Sequence, residues 1–137
     1  MRLCSAALVY NEHTNEVLLT TNKRKKDVWL LPKGGLEAGL TPMQNAQKEC
    51  REETGFNCEA SGFSLGSYDM YKKGVVNRIE VFALAGYGEF YGPAEDRVSQ
   101  WVSIDAAIEL VDPHVAPFLV KMRDHLQACA RHEAAKK

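Results

Sequence analysis

The sequence predicts an α+β fold in a single domain over residues 1–137. Short apolar or alternating runs bounded by turn-forming clusters, the pattern of strands, lie on both sides of one strongly signalled helix. A second helix with an apolar face comes near the end of the chain. No repeat, linker or low-complexity stretch separates these elements, and 137 residues are enough to bury one core.

Leu3 to Tyr10 is apolar and partly alternating, and Val17 to Thr21 is rich in β-branched residues; the polar cluster Asn11 to Glu16 between them makes a β-hairpin the natural reading. A basic loop, Asn22 to Asp27, leads to the apolar Val28-Trp29-Leu30-Leu31 and stops at Pro32. Residues 33–39, Lys-Gly-Gly-Leu-Glu-Ala-Gly, are too glycine-rich for the interior of a helix or strand and are expected to form a loop. The next helix has a full start signal: Thr41 as N-cap, Pro42 at the first position and Gln44 completing a capping box. Met43, Ala46 and Cys50 form its apolar stripe, and Gly55 is placed to end it in a left-handed cap.

Phe63 to Tyr71 and Val75 to Leu84 read as strands around a Lys72-Lys73-Gly74 turn, followed by a Gly/Pro-punctuated loop from Gly86 to Asp96. Ser99 to Ile104 is a short strand and Asp105 to Leu110 a short helix. After Pro113 and Pro117 a helix follows in which Phe118, Met122, Leu126 and Cys129 share a face. The polar tail, residues 131–137, is expected to fray.

Composition excludes several classes. The net charge is −1, so nothing draws the whole protein to nucleic acid or anionic lipid, and a polyanionic substrate would need local cations. No apolar run is long enough to span a bilayer, and the N-terminal MRLCSAALVY lacks the plan of a signal peptide, so the expected location is cytoplasmic. Four cysteines without a CxxC pair point to free, mostly buried thiols rather than a zinc site or disulfides.

The chemistry concentrates on the capped helix. Glu49, Glu52 and Glu53 stand at i, i+3 and i+4 and project from one side, away from the apolar stripe. Like charges at that spacing repel, and their place in the C-terminal half opposes the helix dipole, so a positive partner is expected. Mg²⁺ fits, with Mn²⁺ as the alternative, because hard cations take carboxylate oxygens. Taken alone, such an acidic face is more often plain solvated surface. The preceding loop changes that, since Gly34, Gly35 and Gly39 allow backbone groups close to a ligand.

Residues 34–56 resemble the Nudix box, G-x5-E-x7-R-E-U-x-E-E-x-G-U with U a bulky apolar residue. Gly34 takes the first glycine, Glu49 follows Lys48 at the R-E pair, Glu52-Glu53 form the E-E pair, and Gly55-Phe56 close the motif. Trp29 to Glu37 is also similar to the family's approach to the box. Leu40 replaces the first glutamate and Lys48 the arginine, a pair that in the family mainly orients the metal-binding carboxylates. Lys48 lacks the planar fork of arginine and is expected to pair with Glu52 or Glu37 instead.

The resemblance implies an α/β/α sandwich with a mixed sheet and a Mg²⁺-dependent hydrolase that breaks P–O–P bonds in a small phosphoanhydride substrate. It implies Glu49 and Glu53 as principal metal ligands, Glu52 as ligand or general base, and the Gly34 carbonyl as a further ligand; Glu49 is the other candidate for the catalytic step. Glu80 could add a carboxylate, as a later glutamate does in some relatives. Lys33, Gly35, Arg24, Arg78 and Trp29 are candidates for substrate contact, with Tyr68, Tyr71 and Tyr91 as other stacking aromatics. The chain looks most like hydrolases of dinucleoside polyphosphates, and next like those of diphosphoinositol polyphosphates. A Nudix-like nucleotide sensor with weakened catalysis is the reading from another class, motivated by Leu40 and Lys48.

Overall fold

The computed structural model describes residues 1–90 and 95–136. Its strands are β1 (Arg2–Asn11), β2 (Glu16–Thr21), β3 (Trp29–Leu30), β4 (Lys33–Gly35), β5 (Phe56–Lys72), β6 (Val75–Phe90) and β7 (Ser99–Ser103). Its helices are α1 (Pro42–Thr54), α2 (Ile104–Leu110) and α3 (Ala116–Ala135). The central path of the sheet runs β3-β2-β1-β6-β5, with β4 on β1 and β7 on β2. β1 runs parallel to β6 and antiparallel to β2 and β4, so the sheet is mixed.

Strand alternation sends neighbouring residues of one strand to opposite faces. Ala6 and Leu8 of β1 join Ile79 and Val81 of β6 in a core closed by Leu119, Met122 and Leu126 of α3. Ala7 and Val9 join Phe82 and Leu84 in a second core closed by Ala46 and Cys50 of α1. The sheet therefore lies between α1 on one face and α2 and α3 on the other, the expected sandwich. No helix of the described residues is long and apolar enough to cross a membrane.

The expected N-terminal hairpin forms, with Tyr10 opposite Val17 and Asn11 opposite Glu16. The turn between β5 and β6 also forms, with Lys73 and Gly74 at φ of 51° and 79°, the paired left-handed geometry that suits a two-residue hairpin. α1 has all its expected signals: Thr41 accepts from the Gln44 amide, Gln44 returns the bond, and Gly55 ends the helix at φ 76°.

Several boundaries differ from the sequence reading. Lys33–Gly35 is a strand, β4, pairing with Ala6, Ser5 and Cys4 of β1. Its glycines are there for room: a Cβ on Gly34 would lie 2.4 Å from the Glu49 carboxyl carbon, and one on Gly35 2.5 Å from the Arg2 guanidinium. β5 starts at Phe56, directly after the helix cap, and β6 runs on through Gly86 to Phe90 where a loop was expected. Long partner strands carry this pairing past the glycines, with register shifts between Phe56 and Gly66. Ser103 ends β7 and caps α2, so Ile104 opens the helix rather than closing the strand.

In α3, Leu119 joins Met122 and Leu126 on the buried face, and Leu126 is the last residue of the helix to reach the core. Cys129, one turn beyond, is exposed, while Cys4, Cys50 and Cys58 are buried. The tail also stays helical through Ala135, consistent with its alanine content.

Candidate functional site

α1 packs against the sheet beside β4, and two devices fix that contact. Fully buried Asn45 donates to Ser5 Oγ of β1 at 3.0 Å and to the Gly35 carbonyl at 3.1 Å, and its Oδ1 accepts from the Glu37 amide at 3.1 Å. One amide side chain thus satisfies strand, glycine segment and loop together. The second device is Gly34, whose missing side chain leaves space for the Glu49 carboxylate against the backbone.

The three glutamates share a helix side but differ in setting. Glu53 is 4% exposed and accepts the Lys33 backbone N–H at 2.8 Å. Its Oε1 faces Arg97 Nη2 at 3.4 Å. Burial pushes its carboxyl up to about 8, against the opposing pull of Arg97 and the Lys33 N–H. Glu49 is half-buried and also shifted upward, first by burial and then by Glu52, with Lys48 opposing. Glu52 is exposed.

Lys48 gathers the expected partners and one more. Its Nζ lies 3.0 Å from Glu52, 3.2 Å from Glu37 and 3.6 Å from Glu49. These bonds, that to Glu52 foremost, raise the lysine well above its usual range. Arg97 bridges the other half: Nε to Glu95 at 2.6 Å and Nη1 to the Thr21 carbonyl at 2.9 Å. Glu95 is tied to the helix through its backbone N–H, which donates to the Glu52 carbonyl at 3.2 Å. Lys23 of the basic loop approaches Glu95 at 3.8 Å, and Lys26 approaches Asp96 at 3.3 Å.

Five carboxylates, Glu37, Glu49, Glu52, Glu53 and Glu95, are therefore shared among Lys48, Arg97 and Lys23. Among the described residues no three carboxylate, imidazole or thiol groups are close enough to hold an ion as they stand. The donor chemistry nevertheless suits a hard cation, which takes carboxylate oxygens, and the Glu49 carboxylate lies directly against the Gly34 backbone.

Sequence reading missed Arg97, Glu95 and Asn45. Glu95 sits at the end of the Gly/Pro-punctuated loop and Arg97 just after it, where nothing signals contact with α1. Asn45 had a trace: it lies between Met43 and Ala46, beside the apolar stripe.

The remaining candidates spread around this centre. Lys33 and Trp29 line a pocket of about 330 Å³ next to β4. Gly35 packs against Arg2. Glu80 shares the α1 side of the sheet with Phe82, by strand alternation, and its carboxylate accepts from Ser64 Oγ at 2.7 Å. Arg78 forms a two-pronged pair with Asp69 at 2.8 and 3.1 Å. The Arg24 side chain is exposed, with its backbone N–H on Asn22 Oδ1. Tyr68 lines the pocket, Tyr71 is exposed beside the β5–β6 turn, and Tyr91 lies outside the described residues.

The profile of the NUDIX domain matches residues 2–126. The chain belongs to the NUDIX family. It is a hydrolase acting on phosphoanhydride bonds, as that membership and its named relatives indicate. Diphosphoinositol polyphosphate phosphohydrolase 3-alpha of Mus musculus is 31% identical over 121 residues, covering 82% of this chain and 72% of that protein. The human protein of the same name is 30% identical over the same span. Among solved structures, a C. elegans Ap4A hydrolase in a binary complex superposes with a TM-score of 0.77 at 17% identity, covering 93% of this chain and 99% of that one. The MutT protein of Methanosarcina mazei Go1 gives 0.72 at 19% identity, covering 90% and 94%. At such identities the structures speak for the fold alone.

Proposed function

We propose that this NUDIX hydrolase is a Mg²⁺-dependent pyrophosphohydrolase whose substrate carries a nucleoside on its phosphate chain, a dinucleoside polyphosphate being the best fit. The supporting observation is the pocket beside Lys33. Trp29, Tyr68, Met70 and Val115 give it an apolar, aromatic wall, and Asp27 and Asp112 bring carboxylates to it. Its volume of about 330 Å³ is at the small end of ligand sites, suited to a planar base. Burial holds the Tyr68 phenol at about 12, a neutral donor under physiological conditions. An inositol ring dense in phosphate would instead meet two carboxylates there.

Mg²⁺, with Mn²⁺ as substitute, would be held principally by Glu49 and Glu53 with the Gly34 carbonyl, Glu52 standing beside them as a further ligand or as the general base. A divalent ion so held offsets phosphate charge and makes water a better nucleophile. Glu52, the most exposed of the three, accepts the proton as water attacks one phosphorus and the bridging P–O bond breaks, the leaving phosphate carrying off the electron pair. Glu49 is the second candidate for that role. Lys33, between the buried Glu53 and the pocket, offers its cation to the bridging phosphates.

The second reading, diphosphoinositol polyphosphate hydrolysis, is favoured by the 31% identity to the mouse enzyme. The basic run at 23–26 suits it, although Lys23 and Lys26 already face Glu95 and Asp96, and Arg78 already faces Asp69. Steady-state kcat/KM for a dinucleoside tetraphosphate and for a diphosphoinositol polyphosphate, both with Mg²⁺, separates the two. A preference above about tenfold, ~1.4 kcal/mol, for the dinucleoside supports the first reading, and the reverse preference replaces it with the second.

A further inference from the structure

Arg97 belongs neither to the glutamate helix nor to the box, yet it holds the most buried glutamate. Its guanidinium meets Glu53 at 3.4 Å, Glu95 at 2.6 Å and the Thr21 carbonyl at 2.9 Å. Its side chain is 15% exposed, so these contacts are largely sheltered from water. The second oxygen of Glu53 accepts the Lys33 N–H at 2.8 Å. Both carboxylate oxygens are thus oriented by groups outside α1. A guanidinium can serve three acceptors at once because its five N–H donors lie in a rigid plane, which an ammonium on a flexible stem cannot match.

The departures in the box give this arrangement its meaning. Leu40 supplies no carboxylate, and the ammonium of Lys48 is engaged with Glu37, Glu49 and Glu52. Glu53 takes its cation from the segment preceding β7 instead. We propose that Arg97 is the positioning residue of this chain's metal centre, holding Glu53 in ligating orientation and coupling it to Glu95 and the end of β2. This rests on the metal-site reading above and deepens it. Groups that orient ligating carboxylates typically contribute 10- to 100-fold to metal affinity.

Mn²⁺ titration of the full chain, followed by electron paramagnetic resonance, tests this with Arg97→Gln, Arg97→Lys and Glu53→Gln. Arg123→Gln, which removes the ion pair to Asp105, is the control. Circular dichroism and Tm verify folding, and Arg97→Lys carries the comparison if Arg97→Gln does not fold. Arg97→Gln is expected to weaken Mn²⁺ binding by about 10- to 100-fold and to raise the Mg²⁺ needed for half-maximal hydrolysis by a similar factor. Activity at saturating Mg²⁺ should change much less. Arg97→Lys should recover Tm without recovering affinity, and the control should bind like wild type.

Unchanged affinity in a folded Arg97 variant would overturn the proposal. So would tighter binding, which would make Arg97 a competitor of the ion, and so would full rescue by lysine. Binding lost in Glu53→Gln but kept in Arg97→Gln removes this proposal alone. A wild type that binds no Mn²⁺ removes the metal-site reading and this proposal with it.

Discussion

The carboxylate of Glu49 occupies the space that a side chain on Gly34 would need, with its carboxyl carbon 2.4 Å from where that Cβ would stand. β4 and the glutamate helix are therefore built together, a missing methyl group on the strand making room for a charged group from the helix. Gly34→Ala should force Glu49 into another rotamer at a cost of about 1 kcal/mol. The fold should survive, because the displaced atoms are the end of a flexible chain, while divalent-ion affinity should fall at least tenfold. Calorimetric titration beside a melting curve checks both, and wild-type affinity in a folded Gly34→Ala would show that Glu49 does not need this place.

Asn45 joins β1, β4 and the loop after it through bonds that no other residue type of its size could make. Asn45→Ala leaves the Gly35 carbonyl and the Glu37 amide without their partner and opens a cavity under α1. A loss of about 2–3 kcal/mol is expected, read by denaturant unfolding. A change below ~0.5 kcal/mol would mean that the contact contributes little.

Glu53 gives the metal-free protein a pH signature. Its folded carboxyl is pushed up to about 8, chiefly by burial, from an ordinary 4.5. Between those values the folded chain keeps a proton that the unfolded chain has released, so stability is fullest below the lower value and falls as pH rises through the upper one. Glu49, shifted the same way by burial, adds to the trend. Asp69 and Asp112, held below the usual carboxylate range by Arg78 and His114, act in the opposite sense at lower pH. With a chelator present, Tm should decline from pH 5 to pH 8, and Glu53→Gln should flatten the decline. A Tm that climbs through this window would contradict the assignment.

Trp29 pairs with Thr21 of β2 and lines the pocket. If a base stacks there, Trp29→Ala should raise KM for a dinucleoside polyphosphate about tenfold, from stacking worth ~1–3 kcal/mol. Trp29→Phe should recover most of it, and kcat should change little in either. Equal KM in all three proteins would place the base elsewhere.

Much of this architecture is legible in the sequence, because local chemistry writes it. Thr41, Pro42, Gln44 and Gly55 mark α1 almost residue by residue, and the spacing of Glu49, Glu52 and Glu53 sets their shared side. Even the replacement of arginine by Lys48 led to the right partners, Glu37 and Glu52. What escaped was written in long-range packing. Lys33–Gly35 reads as loop until β1 and the Glu49 carboxylate are beside it. Arg97 and Glu95 reach the site only because β7 returns to β2, a pairing that local pattern does not encode. Arg78 reads as a candidate for substrate contact, and its cross-strand partner Asp69 becomes visible only once the register of β5 and β6 is known.

We propose that the glutamate face of α1 carries the phosphoanhydride hydrolysis. The most direct test is the rate of dinucleoside tetraphosphate cleavage at saturating Mg²⁺ by wild type and Glu52→Gln, with Mn²⁺ binding measured on both. A general base contributes about 10²- to 10⁴-fold, so the variant should lose at least two orders of magnitude in kcat while still binding the ion. Equal rates in the two proteins would contradict the account.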